Sequence, residues 1–144
     1  MYELEDKKII EEIKKIKARR VLIQLPEGLK KEANKIVKYI EDNTETKTFI
    51  SGELCWGGCD LSLEEAKALN VDLIIHFGHA PFFKPNFPVV YVESRYNTNI
   101  MNLVELSLKN LNSYNKIIPC GIYDKEITNL VSIKKQNYKN LKNY

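Results

Sequence analysis

From Leu4 to Ile16 the apolar positions are Leu4, Ile9, Ile10, Ile13 and Ile16, with Glu11, Glu12, Lys14 and Lys15 between them. The three- and four-residue spacing from Ile9 predicts a helix with one apolar stripe. Val21, Leu22, Ile23 and Leu25 form a short apolar run, broken only by Gln24 and bounded by Pro26-Glu27-Gly28, which predicts a buried strand and a turn. A second helical stripe follows at Leu29, Ala33, Ile36, Val37 and Ile40, in a helix from about Leu29 to Asn43. Thr46 to Ser51 is rich in β-branched residues and reads as a strand. A Gly-rich loop then runs from Gly52 to Asp60, after which Ser62 and Glu65 make a capping-box pattern for a short helix ending near Leu69. Val71 to Phe77 is a second buried-strand pattern, ending in His76-Phe77-Gly78-His79. Pro81 to Pro88 reads as a loop whose Phe82, Phe83 and Phe87 suit packing, and Val89 to Val92 as a strand. A helix over Ile100 to Leu111, a short strand over Asn115 to Pro119 and a polar tail complete the pattern.

Strands alternating with helices predict an α/β fold: a three-layer domain with a mostly parallel, four- to five-stranded sheet flanked by helices. Crossovers should be right-handed. The gap between Phe77 and Val89 is short for a parallel crossover. The expected organisation is one domain over residues 1–119 and a polar C-terminal tail over 120–144 with helical potential.

Composition narrows the classes of function. Of 144 residues, 22 are basic and 19 acidic, a net charge of +3 without a clustered basic face outside Lys134 to Lys142, so a direct nucleic-acid partner is not expected. No run approaches the ~18–20 apolar residues of a membrane span, and Met1 to Asp6 lacks the basic and apolar regions of a secretory signal. Three cysteines, Cys55, Cys59 and Cys120, argue against a disulfide framework and for a reducing, cytoplasmic setting. With His76 and His79 they are the whole supply of soft ligands.

In open α/β sheets ligands bind beyond the carboxyl ends of the strands. Three unusual loops are expected there, on one edge: Pro26-Glu27-Gly28, the Cys55–Cys59 loop and His76–His79. Gly57 and Gly58 allow positive φ and close backbone approach, and successive N–H groups could bind an anionic cluster or a carboxylate. Cys59 lies nearer the following helix, whose dipole favours a thiolate, so it is the preferred reactive or ligating thiol. The alternative is that both cysteines are small hydrophobes buried under a tight turn. Cys55, Cys59, His76 and His79 could instead build a tetrahedral zinc site, in a small zinc-binding or interaction domain. Other readings make His76 a buried imidazole bonded to a backbone carbonyl, His79 an edge residue, Glu27 a turn residue or a ligand contact, and Cys120 a core thiol or a second ligand.

Three segments carry a resemblance to a known family. Gln24-Leu25-Pro26-Glu27-Gly28-Leu29-Lys30 resembles the first strand and turn of the diphthamide synthase family. Gly52-Glu53-Leu54-Cys55-Trp56-Gly57-Gly58-Cys59-Asp60 resembles its Cys-bearing loop, and Ile74-Ile75-His76-Phe77-Gly78-His79-Ala80 its His-bearing strand end. The resemblance covers about residues 4–118, the family's first domain. It implies a 2-(3-amino-3-carboxypropyl)histidine synthase, with three α/β domains each giving one Cys to a [4Fe-4S] cluster that engages S-adenosylmethionine. The 3-amino-3-carboxypropyl group passes to a histidine of translation elongation factor 2. By the same resemblance Cys59 is the cluster ligand and Cys55 is not. Glu27, Gly57, Gly58 and His79 are the expected cofactor-binding residues, and the complete protein is a homodimer. Two cluster ligands would lie outside this chain, so the lone domain is expected to be inactive.

Overall fold

The computed structural model describes residues 2–3 and 6–96, together with Asn102, Leu106, Ser107 and Asn110. Of the expected helix over 100–111, Asn102, Leu106, Ser107 and Asn110 are described and are helical; the strand over 115–119, Cys120 and the polar tail lie outside the described residues. The chain divides into two units, 1–97 and 98–144; the first is described here. In chain order it contains β1 (Tyr2–Glu3), α1 (Asp6–Ile16), β2 (Arg20–Gln24), a 3-10 turn (Glu27–Glu32), α2 (Ala33–Asn43), β3 (Lys47–Ile50), α3 (Leu63–Ala68), β4 (Leu73–Phe77), β5 (Val89–Val92) and β6 (Arg95–Tyr96).

The main sheet has the order β3-β2-β4-β5, and every pairing in it is parallel. Leu22 sits opposite Phe49 on one side and Ile74 on the other, and Gln24 opposite His76. β1 and β6 form a separate antiparallel pair. Alternation along the strands splits the apolar residues between two faces. Val21, Ile23, Leu73, Ile75 and Phe77 pack with Ile9 and Ile13 of α1 and Ile36 and Ile40 of α2. Leu22 and Ile74 point the other way and pack with Ala66 of α3, Phe49 and Phe87. These are the three layers the pattern predicts.

Helices α1 and α3 are stopped by the same device. After α1, Lys17 takes φ 56°, its N–H donates to the Lys14 carbonyl, and the Ala18 N–H donates to the Ile13 carbonyl. After α3, Asn70 takes φ 49°, with Asn70 N–H to the Lys67 carbonyl and Val71 N–H to the Ala66 carbonyl. These are Schellman closures, and each turns the chain from a helix into a central strand.

Three local expectations change. The second helix does not begin as an α-helix: Glu27 to Glu32 is a 3-10 turn. That tighter winding eclipses side chains three apart, which pairs Glu27 with Lys30 while Leu29 is buried. The capping box of α3 is not made; Ser62 gives no side-chain cap. Ser62 is buried with its hydroxyl 3.0 Å from that of Ser51, and Glu65 accepts from Ser51 Oγ and the Gly52 N–H. The two residues clasp the end of β3 instead. Finally, β4 and β5 are parallel although residues 78–88 contain no helix; an irregular crossover suffices.

Candidate functional site

Because β2, β3 and β4 run parallel, the loops that follow them leave from one edge of the sheet. Contacts between those loops are direct. The Lys30 ammonium donates to the Glu53 carbonyl at 3.2 Å, joining the first turn to the Cys loop. Gly78 has φ 84°, and a Cβ there would lie 2.9 Å from Pro26 Cγ, so glycine is required where these two turns cross. A Cβ on Gly58 would lie 2.1 Å from the Ala80 carbonyl oxygen, so the Cys loop rests on the backbone just after His79. The expectation that Glu27, the Cys loop and His76–His79 share an edge is therefore met.

Within the Cys loop the two thiols face different ways. The Trp56 N–H donates to Asp60 Oδ2 at 3.1 Å, and the Asp60 N–H donates to the Gly57 carbonyl at 3.0 Å. These bonds close a tight turn over 56–60 that leaves Cys59 exposed, while Cys55, before the turn, is buried. Burial, with Asp60 nearby, pushes the Cys55 thiol above its ordinary pKa. The same loop exposes two apolar side chains, Trp56 at 80% and Leu54 at 53%.

Cys55 faces the two histidines. Its sulfur is 3.9 Å from His79 Nδ1, and His76 Nε2 is 3.0 Å from the same nitrogen. His76 is fully buried at the end of β4, and His79 is half-buried. The other His76 nitrogen, Nδ1, lies 2.8 Å from Gln24 Oε1. Gln24 Nε2 donates to the Asp60 carbonyl at 2.7 Å, and Gln24 Oε1 also accepts from the Ser62 N–H. The amide is thereby oriented with its oxygen toward His76, so His76 Nδ1 carries the proton and Nε2 presents a lone pair. Burial, then the neighbouring His79, lowers the His76 pKa to about 4, so the ring is neutral at physiological pH.

Two expectations are corrected here. His76 bonds a side-chain amide, not a backbone carbonyl. The four-donor zinc set is not assembled: among the described residues Cys55, His76 and His79 come together, and the 56–60 turn carries Cys59 away from them. Phe87 packs under the sheet as expected, but Phe82 and Phe83 are exposed. Glu27 is exposed and ion-paired to Lys30. Gly58 has a packing reason to be glycine; at Gly57 an added Cβ would make only ordinary contact with the Cys59 sulfur at 3.5 Å. Gln24 was not among the expected site residues. Its signal was present, as the one polar residue interrupting the apolar run of β2. A cleft of about 370 Å³ borders His79, lined also by Lys8, Glu12, Tyr91 and Glu93.

A model of the diphthamide synthesis protein family matches residues 25–143. The chain belongs to that family. Among curated relatives, the 2-(3-amino-3-carboxypropyl)histidine synthase of Pyrococcus horikoshii is 36% identical over 118 residues, 76% of this chain and 34% of its own length. That of Methanocaldococcus jannaschii is 41% identical over 86 residues, 55% of this chain and 25% of the relative. A crystal structure of Dph2 from Pyrococcus horikoshii with a 4Fe-4S cluster superposes with a TM-score of 0.70 at 32% identity, over 78% of this chain and 34% of that one. The chain thus spans about a quarter to a third of the length of these relatives. The likeness confirms the α/β fold. Among the described residues no helix is long and apolar enough to cross a membrane.

Proposed function

We propose that this chain supplies the first domain of a 2-(3-amino-3-carboxypropyl)histidine synthase, and that Cys59 is its ligand to a [4Fe-4S] cluster. The observation that carries the reading is the exposed Cys59 thiol, held by a lashed turn at the ligand-binding edge of a sheet that superposes on a cluster-containing relative. The residues fit such a group in one respect: a cluster shared between domains needs a thiol that other domains can reach, and Cys59 meets that need where Cys55 does not. A reduced cluster would supply the electron that cleaves the Cγ–S bond of S-adenosylmethionine. This chain's part is to hold the ligand thiol and to line the cofactor edge with Glu27, Gly57, Gly58 and His79. The exposed Trp56, Leu54, Phe82 and Phe83 give that edge an apolar surface suited to companion domains. On this reading residues 1–119 form the domain and 120–144 a tail, the acceptor is a histidine of elongation factor 2, and the complete protein is a cytoplasmic homodimer. The chain alone should be inactive, because among the described residues Cys59 is the one accessible thiol, and one thiol cannot hold a cube that takes several.

A chimera tests this reading. The matching third of the Pyrococcus horikoshii synthase is replaced by this chain, the cluster is reconstituted anaerobically, and transfer of labelled 3-amino-3-carboxypropyl to elongation factor 2 is measured. Transfer by the chimera and none by the chain alone is expected. A chimera that folds and carries a cluster but transfers nothing would contradict the reading.

A further inference from the structure

The inward half of the Cys loop has donor atoms that a cluster bound at Cys59 does not use. We propose that Cys55 Sγ, His76 Nε2 and His79 Nδ1 form a mononuclear site for a borderline divalent transition ion, with Zn²⁺ as its representative. The site takes no ligand from Cys59, and shares with the proposed cofactor edge His79 alone.

The geometry is close to what such an ion needs. The three donor atoms all lie within 4.8 Å of one another, with separations of 3.0 Å for the two nitrogens and 3.9 Å for sulfur to His79. Zinc bond lengths put tetrahedral donor pairs about 3.3 Å apart for two nitrogens and about 3.5 Å for nitrogen and sulfur. The two measured separations lie within about 0.4 Å of these values. Thiolate and imidazole are the donors that zinc takes.

The surroundings are built as a ligand site is built. Ligating histidines donate their second ring N–H to a fixed acceptor, which orients the ring and sets the tautomer. Gln24 does this for His76, and is itself held by the Asp60 carbonyl and the Ser62 N–H. His76 Nε2 is therefore a lone pair, 3.0 Å from His79 Nδ1 and within reach of the Cys55 sulfur. His79 borders the 370 Å³ cleft, which gives an ion a route in and leaves its fourth position to water or a ligand in that cleft. Three protein donors with a fourth position left over is the arrangement of zinc sites that do chemistry. Proton balance follows: the Cys55 thiol gives up its proton on binding, and His79 keeps one proton, on Nε2. One proton is released per ion.

The test uses the full 144-residue chain, reduced and free of iron and sulfide, titrated with Co²⁺ and then Zn²⁺. One Co²⁺ per chain should bind with release of one proton, giving tetrahedral d–d bands and a thiolate-to-cobalt charge-transfer band, and one equivalent of Zn²⁺ should displace it with no further proton release. Cys55→Ser should abolish the charge-transfer band, and Cys59→Ser should leave it unchanged. His79→Asn, at a half-exposed position, should weaken Zn²⁺ binding by at least about ten-fold, the lower end of what loss of a supporting partner costs. It carries the test if Cys55→Ser fails to fold by circular dichroism. No charge-transfer band in the wild-type chain would overturn the proposal. So would a band lost in Cys59→Ser but kept in Cys55→Ser, or Zn²⁺ affinity unchanged in His79→Asn. Because no iron or sulfide is present, none of these results bears on cluster binding at Cys59.

Discussion

Cys55 and Cys59 lie four positions apart in one loop, yet the fold treats them as residues of two different regions. Cys55 belongs to the interior: it is buried beside His79, behind a chain of bonds that runs from His76 through Gln24 to Asp60. Cys59 belongs to the surface, in a loop that also exposes Trp56 and Leu54. The division is made by the turn between them, with Gly58 pressed on the Ala80 carbonyl and Asp60 binding the Trp56 N–H. Spacing alone cannot separate two thiols of this kind. Backbone direction separates them, and with them the chemistry each can do: an inward thiol pairs with local donors, and an outward one meets groups brought by other domains.

The largest effect that distinguishes the interior half is its response to acid. His76 has its folded-state pKa lowered from 6.5 to about 4. The unfolded chain therefore binds more protons than the folded one below pH 6.5, so stability falls as pH drops from about 6.5 toward 4 and this contribution then levels off. The loss from this ring is at most about 3 kcal/mol. Urea unfolding of the chain in chelator, across that window, should show the decline, and His76→Gln should flatten it. An equal slope in both proteins would mean that the interior half is not closed to protonation.

Thiol labelling sharpens the same contrast. In chelator under native conditions Cys59 should react faster than Cys55 by roughly 100-fold, because a buried thiol reacts only through local opening. Mass mapping of the labelled peptides reads the ratio directly. Equal rates would place both thiols on the surface and remove the distinction.

The glycines test what holds the two halves apart. Gly58→Ala must displace the Ala80 carbonyl and should cost about 1–3 kcal/mol. It should also raise Cys55 labelling, since the loop can no longer rest on the strand end. Gly28→Ala meets nothing within 4 Å, and should stay within about 0.5 kcal/mol of the parent. Denaturation midpoints of the two variants check both expectations.

Much of this arrangement is legible in the residues themselves. The runs at Val21–Leu25 and Val71–Phe77 mark the two central strands, and their neighbours in the chain place the chemistry at one sheet edge. Period-two burial then explains why Val21 and Leu22 belong to different cores. Other features depend on what folding brings near. Ser62 and Glu65 have the spacing of a capping box, but Ser51 lies within reach and takes both side chains. Gln24 reads as an interruption of a strand until His76 is seen opposite it in the register. Cys55 and Cys59 are equivalent by spacing, and only the turn at 56–60 distinguishes them.

The central claim is that the outward thiol, and not the inward one, serves the cluster. Iron and sulfide content of the chimeric synthase after anaerobic reconstitution tests it most directly, with Cys59→Ala and Cys55→Ala measured side by side. The account predicts that Cys59→Ala loses the stable cluster and its visible absorption. Cys55→Ala should keep both near the parent level, at a stability cost of about 1–3 kcal/mol for the buried contact. A full cluster in Cys59→Ala, or loss of the cluster only in Cys55→Ala, would contradict it.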